Sequence, residues 1–324
     1  MSSQTVPTVA AGRAGFVHQA LAYGSEGEFL AATVPFVRAG LRHGEVVLAV
    51  TTLTNIGLLR QALGPDAARV EFVDAAGWYL QPARTLAAYD YYVNSRSSRS
   101  SGQVRVIGEP VWSGRVAADI TEWKRYESVL NVAFAQAAAW IICPYDRRVL
   151  HPDILADALR THPELVVGDQ GQHSAAYANP MAFAAECDRQ PLPLPRAVTA
   201  TLPFDGGNLW RLRRFVTRYA RRVGLAEVRL QELVLSVNEV AANAIRHGGG
   251  HGTVRLWVEG GALVGEIADP GQWAVAGSPG YLPPDPAARS GAGLWVVRQL
   301  CDRVEIRAGS PGTTVRLRVA IGER

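Results

Sequence analysis

The chain has 324 residues, and at about 100 to 200 residues per domain that length calls for two domains, each with its own core. Hydrophobic residues at 48% and charged residues at 19% exclude wholesale disorder. A formal charge of +4, spread over a surface of this size, does not demand nucleic acid, and no direct nucleic-acid partner is expected. Cys143, Cys187 and Cys301 lie far apart without CxxC spacing, which speaks against a disulfide framework or a zinc site and for the cytoplasm. No run of some 18 apolar residues occurs, and Met1-Ser2-Ser3-Gln4 opens without the basic and apolar regions of an export signal, so no membrane partner is expected.

A polar lead of about ten residues precedes a half in which helical and strand signals alternate as βα units. Residues 26–43 carry Phe29, Leu30, Val34, Phe36, Val37 and Leu41 at helical spacing, with a kink expected at Pro35 and a C-cap at Gly44. The solid apolar run Val46-Val47-Leu48-Ala49-Val50 reads as a strand covered on both faces. Further units come after it: a helix at 54–63, a strand at 70–73, a helix at 82–93, a strand at 104–108, a helix at 118–138, a strand at 140–144, a helix at 152–160 and a last strand at 164–167. The pattern predicts a doubly wound α/β domain with a parallel sheet. Residues 94–102, Asn-Ser-Arg-Ser-Ser-Arg-Ser-Ser-Gly, read as an exposed loop.

Gln190-Pro191-Leu192-Pro193-Leu194-Pro195 favours an extended, semi-rigid segment, so residues 185–196 are assigned as a linker between a domain at 11–184 and one at 197–324. Beyond it the order is a strand at 197–204, helices at 209–223 and 226–247, strands at 253–258 and 263–268, a Gly/Pro-rich loop, a helix at 293–301 and strands at 304–308 and 314–320. Hairpin-like strands beside a few helices predict α+β layering.

The 226–247 helix buries Leu230, Leu233, Val237, Val240, Ala241 and Ala244, whereas Glu239, Asn243 and Arg246 form an i, i+4, i+7 stripe on another edge. Carboxylate, amide and cation together suit a magnesium-triphosphate site, because Mg²⁺ takes oxygen ligands, phosphate attracts a guanidinium and a carboxylate can accept a hydroxyl proton. By spacing alone such a stripe is more often a solvated helix face. Three segments further along the chain strengthen the site: Asp269-Pro270-Gly271 at a strand end, Gly291-Ala292-Gly293-Leu294 opening a helix, and Gly312-Thr313-Thr314 opening the last strand. Glycines at a helix N-terminus let backbone N–H groups approach phosphate oxygens, aided by the helix dipole.

Asn238-Glu239-Val240-Ala241-Ala242-Asn243-Ala244-Ile245-Arg246-His247-Gly248 resembles the N box of the GHKL ATPases, whose fold is a Bergerat-type α+β sandwich. Within that superfamily it is most similar to the anti-sigma-factor serine kinases that phosphorylate STAS-type anti-anti-sigma proteins. The resemblance implies ATP and Mg²⁺ as cofactors, Glu239 as general base and Asn243 as the Mg²⁺ ligand. It further implies Asp269 on the adenine amino group with Gly271 giving the base access, Gly291, Gly293 and Leu294 on the phosphate side, Arg246 directed at phosphate and Thr313 beside adenine. The pattern DxGxG lacks its second glycine here, and Trp273 stands in that position as a residue to pack on the nucleotide. The segment 274–290, with Pro279, Pro283, Pro284 and Pro286, would be the ATP lid.

The first half resembles a MEDS sensory domain, in Phe16-Val17-His18, Tyr23, Pro35-Phe36, Gly40-Leu41 and Gly44-Glu45. Later segments carry the likeness on: Val106-Ile107-Gly108-Glu109-Pro110-Val111-Trp112, then Trp123, Tyr126-Glu127 and Asn131, then Cys143-Pro144-Tyr145-Asp146. The two likenesses in this order resemble the RsbA family of anti-sigma regulatory proteins, which implies a stress-response regulator of transcription, a sigma factor and a STAS-type protein as partners, and a homodimer. The first domain would take a small-molecule ligand. His18 reads as a core or capping histidine, since no second His or Cys accompanies it at ligand spacing, and Trp112, Trp123, Tyr126 and Trp140 read as core before pocket. Two other functions stay open: a module that sequesters a sigma factor without catalysis, and a histidine kinase, for which no phospho-accepting His on a helix ahead of the ATPase segment is found.

Overall fold

In a computed structural model that describes residues 15–97, 103–168, 170–272, 279–284 and 291–322, the chain divides into two compact units, Met1–Phe183 and Ala184–Arg324. The first unit begins with β1 (Val17–Tyr23), α1 (Glu26–Arg42), β2 (Val46–Thr51), α2 (Leu53–Leu63), a 3₁₀ turn (Gly64–Arg69) and β3 (Glu71–Asp74). It continues with α3 (Ala75–Trp78), α4 (Pro82–Ser97), β4 (Val104–Gly108), α5 (Ala117–Ala133), β5 (Ala139–Asp146), α6 (Pro152–Thr161), β6 (Glu164–Val167) and β7 (Gln170–His173). A short α7 (Pro180–Glu186) carries the chain across the boundary.

The sheet has the order β3-β2-β4-β5-β1-β6-β7, parallel throughout except for β7, which runs antiparallel along β6. Helix α1 starts at a Ser25 cap whose hydroxyl accepts the Glu28 N–H, while the Glu28 carboxylate accepts the Gly24 N–H. Its buried stripe of Phe29, Phe36, Val37 and Leu41 packs with Leu21, Val47, Ala49, Ile107 and Ile142 of the strands, forming one core. The apolar run at 46–51 is buried along nearly its whole length, as a strand inside a parallel sheet must be.

Four expectations need correction. Residues 17–23 form a strand that the sequence pattern did not suggest, because His18 and Gln19 break its apolar run. Both are nonetheless buried and partnered: His18 Nδ1 lies 3.0 Å from Asn131 Oδ1, and Gln19 bonds Trp140 and Glu164. Helix α4 continues through Ser97 into the stretch expected to be loop, with Arg96 paired to Glu71 at 3.0 Å and stacked on Tyr92. The rest of that stretch, 98–102, lies outside the described residues. Helix α5 stops at Ala133 and not near Ala138, because a turn closed by the Ala137 N–H on the Phe134 carbonyl feeds the chain into β5. The strand at 164–167 is not the last, since β7 comes after it.

The second unit comprises β8 (Ala200–Asp205), α8 (Leu209–Arg222), α9 (Glu227–His247), β9 (His251–Glu259), β10 (Ala262–Asp269), α10 (Ala292–Leu300), β11 (Arg303–Gly309) and β12 (Gly312–Ala320). Its antiparallel sheet has the order β11-β12-β10-β9-β8. Strand alternation sorts this sheet into two faces. Val254, Leu256, Leu263, Ile267, Val315 and Leu317 share a core with Leu230, Leu233, Val237, Val240 and Ala244 of α9 and Val297 of α10. The opposite face carries a charged row in register, Arg255 on β9, Glu266 on β10 and Arg316 on β12. Residues 190–195 lie along this row: Arg316 donates to the Pro193 carbonyl at 2.9 Å and Arg307 to the Gln190 carbonyl at 2.6 Å.

Candidate functional site

Helix α9 carries the acidic and amide residues of the site because its apolar stripe fixes which edge faces the sheet. Glu239 and Asn243, one turn apart, stay half-buried on the neighbouring edge. The start of α10 comes up against them: a Cβ on Gly293 would lie 3.0 Å from Glu239 Oε2 and 3.9 Å from the Asn243 amide nitrogen. Any side chain at 293 would therefore fill the space in front of the carboxylate. Gly291 caps α10 in the left-handed region at φ 106°, turning the chain so that the helix begins there, and Leu294 packs inward against the core. Arg246 is exposed and donates to Asn243 Oδ1 at 2.8 Å, so the i+3 pair fixes the orientation of the amide.

At the far end of α9 the chain passes through Gly248, beside the buried Asp269 at the end of β10. Asp269 Oδ1 accepts the Gly271 N–H at 2.9 Å, and the buried Thr313 hydroxyl donates to the Gly271 carbonyl at 2.8 Å. Gly271 is a glycine because of close approach: a Cβ there would collide with the Gly248 Cα. Glu239 and Gly248 are nine positions apart, about 13 Å along the helix axis. The Glu239–Asn243–Gly293 cluster thus lies on the flank of α9 and the Asp269–Gly271–Thr313 cluster beside its C-terminal end.

The sequence pattern does not reveal the residues that hold the chain beside α10. Arg298 lies over the Tyr281 ring and donates to the Pro279 and Val304 carbonyls, and Tyr281 is buried. A Cβ on Gly280 would meet the Leu294 backbone at 2.6 Å, so this segment is pressed onto the start of α10. No motif marks these residues; an Arg inside an apolar helix is the one local signal of them. Trp273 and the remainder of the expected lid, 274–278 and 285–290, lie outside the described residues.

Burial raises the Asp269 carboxyl above its ordinary range, against the opposing pull of the Gly271 N–H and His251. Because the folded state then binds this proton more tightly than the unfolded chain, ionised Asp269 costs stability above the raised pKa. That cost fades as pH falls through it and is absent below the ordinary carboxylate value. Asp269→Asn keeps an oxygen for the Gly271 N–H, so thermal unfolding should place the variant above the wild type near neutral pH, with the gap closing toward acid. A variant that melts lower at neutral pH would show that the carboxylate is stabilising.

The first unit has its own concavity, a cavity of about 540 Å³ at the carboxyl ends of β1, β2, β4 and β5, where open α/β sheets bind ligands. Its floor is the buried Glu109, which accepts from Tyr23 Oη at 2.8 Å, from Asn55 Nδ2 at 2.9 Å and from the Thr51 hydroxyl. Burial, reinforced by Glu109, pushes the Tyr23 phenol well above its ordinary value, so it stays a donor. Trp112, Ile120 and Ile154 give the walls apolar character, and Arg148, held bidentately by Asp146, stands at the rim. Of the four aromatic residues weighed between core and pocket, Trp112 lines this cavity, Trp123 and Tyr126 are core, and Trp140 stacks on Arg105. His18 is not solitary: its ring lies 4.0 Å from that of His162, with Cys143 and Glu127 beside both.

Comparison with known proteins matches residues 17–163 to the MEDS family, the methanogen/methylotroph DcmR sensory domain, and residues 202–319 to the histidine kinase-like ATPase domain. Comparison with curated proteins gives no match. Among solved structures, the RsbU and RsbW domains of Rv1364c from Mycobacterium tuberculosis are similar at 21% identity and TM-score 0.30, over 40% of this chain and 34% of that one. The chain thus spans about a third of that relative. The Acinetobacter baumannii histidine kinase AdeS is similar at 11% identity and TM-score 0.25, over 44% of this chain and 74% of that one. The histidine kinase domain of the Erythrobacter litoralis EL346 blue-light activated kinase is similar at 16% identity and TM-score 0.24, over 76% of this chain and 94% of that one. These partial likenesses carry no functional argument, whereas the two family matches agree with the two units and their sheets. The chain joins a MEDS sensory domain to a histidine kinase-like ATPase domain.

Proposed function

We propose that the protein is an anti-sigma regulator of the RsbA type, in which the second unit binds ATP·Mg²⁺ and phosphorylates a serine or threonine of a STAS-type anti-anti-sigma protein. The first unit senses a small, mostly apolar ligand in the cavity above Glu109 and controls that activity. The observation that carries the reading is the pair Glu239 and Asn243 on the flank of α9 against the glycine-opened start of α10, with Asp269 beside the C-terminal end of the same helix. The span between them suits a nucleoside triphosphate, its base at Asp269 and its terminal phosphate at Glu239.

The residue types present fit a hard cation: the Glu239 carboxylate lies beside a helix N-terminus that attracts phosphate, and Asn243 one turn along carries a carbonyl oxygen, turned here to Arg246 while its amide nitrogen faces Gly293. Asn243 would hold Mg²⁺, which when bound neutralises phosphate charge. The Asn243 carbonyl has a second lone pair, so its bond from Arg246 does not exclude that role. Arg246, exposed and one turn along, is free to turn its guanidinium toward phosphate oxygens. Glu239 accepts the proton of the attacking hydroxyl, and Asp269 accepts a hydrogen bond from the adenine amino group while Gly271, packed on Gly248, orients its carboxylate through the backbone N–H.

A histidine-kinase reading needs a phospho-accepting His on a helix ahead of the ATPase domain. Among the described residues, no helix of the first unit and no turn of α8 contains a His, and His162 is fully buried.

The test is calorimetry of ATP binding with and without Mg²⁺, followed by transfer of labelled γ-phosphate to a STAS protein co-purified from the native cell. Asn243→Ala should weaken Mg²⁺-dependent ATP binding about tenfold or more, the loss expected for one contact to a charged group. Tight ATP binding without transfer would instead favour a module that sequesters a sigma factor.

A further inference from the structure

We propose that His18, Glu127, Cys143 and His162 form a buried tetrahedral site for a divalent transition-metal ion of the zinc type. The four come from separate elements: His18 from β1, Glu127 from α5, Cys143 from β5 and His162 from the turn between α6 and β6. Their ligand atoms all lie within 4.8 Å of one another, and all four side chains are buried. His18 Nε2 lies 3.4 Å from Cys143 Sγ and 3.5 Å from Glu127 Oε2, and His162 Nε2 lies 3.5 Å from that same oxygen. Zinc bonds of about 2.0 to 2.3 Å arranged as a tetrahedron put neighbouring ligand atoms about 3.3 to 3.8 Å apart, the range of these three pairs, and the remaining pairs lie within 4.8 Å.

The surroundings prepare the ligands. His18 Nδ1 faces Asn131 Oδ1 at 3.0 Å, and that amide is fixed by its own NH₂ donating to the Thr161 carbonyl at 2.7 Å. His162 Nδ1 faces the Ala158 carbonyl at 2.9 Å. Oxygen acceptors at both Nδ1 atoms place the ring protons there and aim both Nε2 lone pairs into the cluster, the arrangement that outer-shell groups impose on metal-bound histidines. Burial, with His18 adding to it, keeps His162 neutral by lowering its pKa well below the ordinary value.

Inside the cluster, groups that ordinarily find partners have none. Both Glu127 oxygens and His162 Nε2 are shielded from solvent and make no hydrogen bond among the described residues. Buried carboxylates are ordinarily paired or metal-bound. A dication there meets two anions, the Glu127 carboxylate and a Cys143 thiolate, and two neutral imidazoles, so the loaded site is electrically neutral. Burial and the neighbouring Glu127 raise the Cys143 thiol well above its ordinary value, so loading must displace its proton to solvent. Four protein ligands without a solvent-facing position describe a closed, structural site that ties two strands, a helix and the α6–β6 turn of the sensory unit together. This assignment is independent of the kinase reading.

Full-length protein stripped with a chelator and titrated with Co²⁺ should take up a single equivalent, developing thiolate-to-cobalt charge-transfer absorption and the intense d–d bands of a four-coordinate ion. Zn²⁺ should then displace it and erase both. Cys143→Ser should abolish the charge-transfer band, and Asn131→Ala, which leaves all four ligands in place, should weaken Co²⁺ binding about 10- to 100-fold. Where a ligand variant fails to fold, the wild-type titration decides. Folded wild-type protein that gives no charge-transfer band overturns the proposal, as does a band that survives Cys143→Ser.

Discussion

Glu239→Gln is expected to bind ATP·Mg²⁺ within a few-fold of the wild type while transferring phosphate to the proposed STAS-type acceptor about 10²- to 10⁴-fold more slowly, the range for loss of a positioned general base. The substitution is nearly isosteric and keeps the contact with the start of α10, where Gly293 leaves the Glu239 oxygen uncovered. What it removes is the capacity to take the hydroxyl proton. The loss should therefore fall on kcat, with KM for ATP little changed. Asn243→Ala should divide the other way, since the amide is proposed to hold the nucleotide complex and takes no proton. If Glu239→Gln transfers phosphate at the wild-type rate, Glu239 is not the base. If it loses ATP and transfer together, its role is in binding.

The helical period makes the candidate nucleotide site legible. Glu239, Asn243 and Arg246 recur on one edge of α9, and the structure joins two of them directly through the Arg246–Asn243 hydrogen bond. Single-residue glycine signals at 271, 291 and 293 are legible for a related reason, as each marks a tight turn or backbone approaching something closely. The cluster around His18 is not legible. Its ligands span 145 positions and meet only because β1 inserts between β5 and β6, a pairing no local pattern encodes. Strand β1 itself is hidden for the same reason that it matters, since the buried polar residues that break its apolar run are His18 and Gln19. The proline-rich segment misleads in the opposite sense. Its composition gives its extended form correctly, yet the cations that bind its carbonyls, Arg307 and Arg316, lie more than a hundred residues away.

Those cations underlie the second large effect, which concerns stability. Glu266 is buried on β10 between Arg316, which donates to its Oε2 through both Nε at 3.0 Å and Nη2 at 2.5 Å, and Arg255, whose Nη2 lies 2.5 Å from its Oε1. Arg255 is more than a third exposed and can turn to solvent when Glu266 is removed. Arg316 cannot, since it is about one-tenth exposed, lies over the Trp257 ring and reaches the Pro193 carbonyl. Glu266→Ala therefore leaves an uncompensated buried cation and should cost about 3 to 5 kcal/mol. Because a two-unit chain need not unfold in one step, hydrogen exchange of the β10 and β12 amides is the appropriate measurement. At about 1.4 kcal/mol per decade, their protection should fall by roughly 10²- to 10⁴-fold. Adding Arg316→Met should recover much of that loss, because the stranded charge goes and an unbranched apolar chain can still pack on Trp257. The same double variant should loosen residues 192–195 from the sheet, since the donor to Pro193 is gone while Arg307 still holds Gln190, and the loosened stretch should become cleavable by a protease that spares the wild type. If Glu266→Ala costs under about 1 kcal/mol, water reaches Arg316, and the charged row behaves as an ordinary surface ion pair.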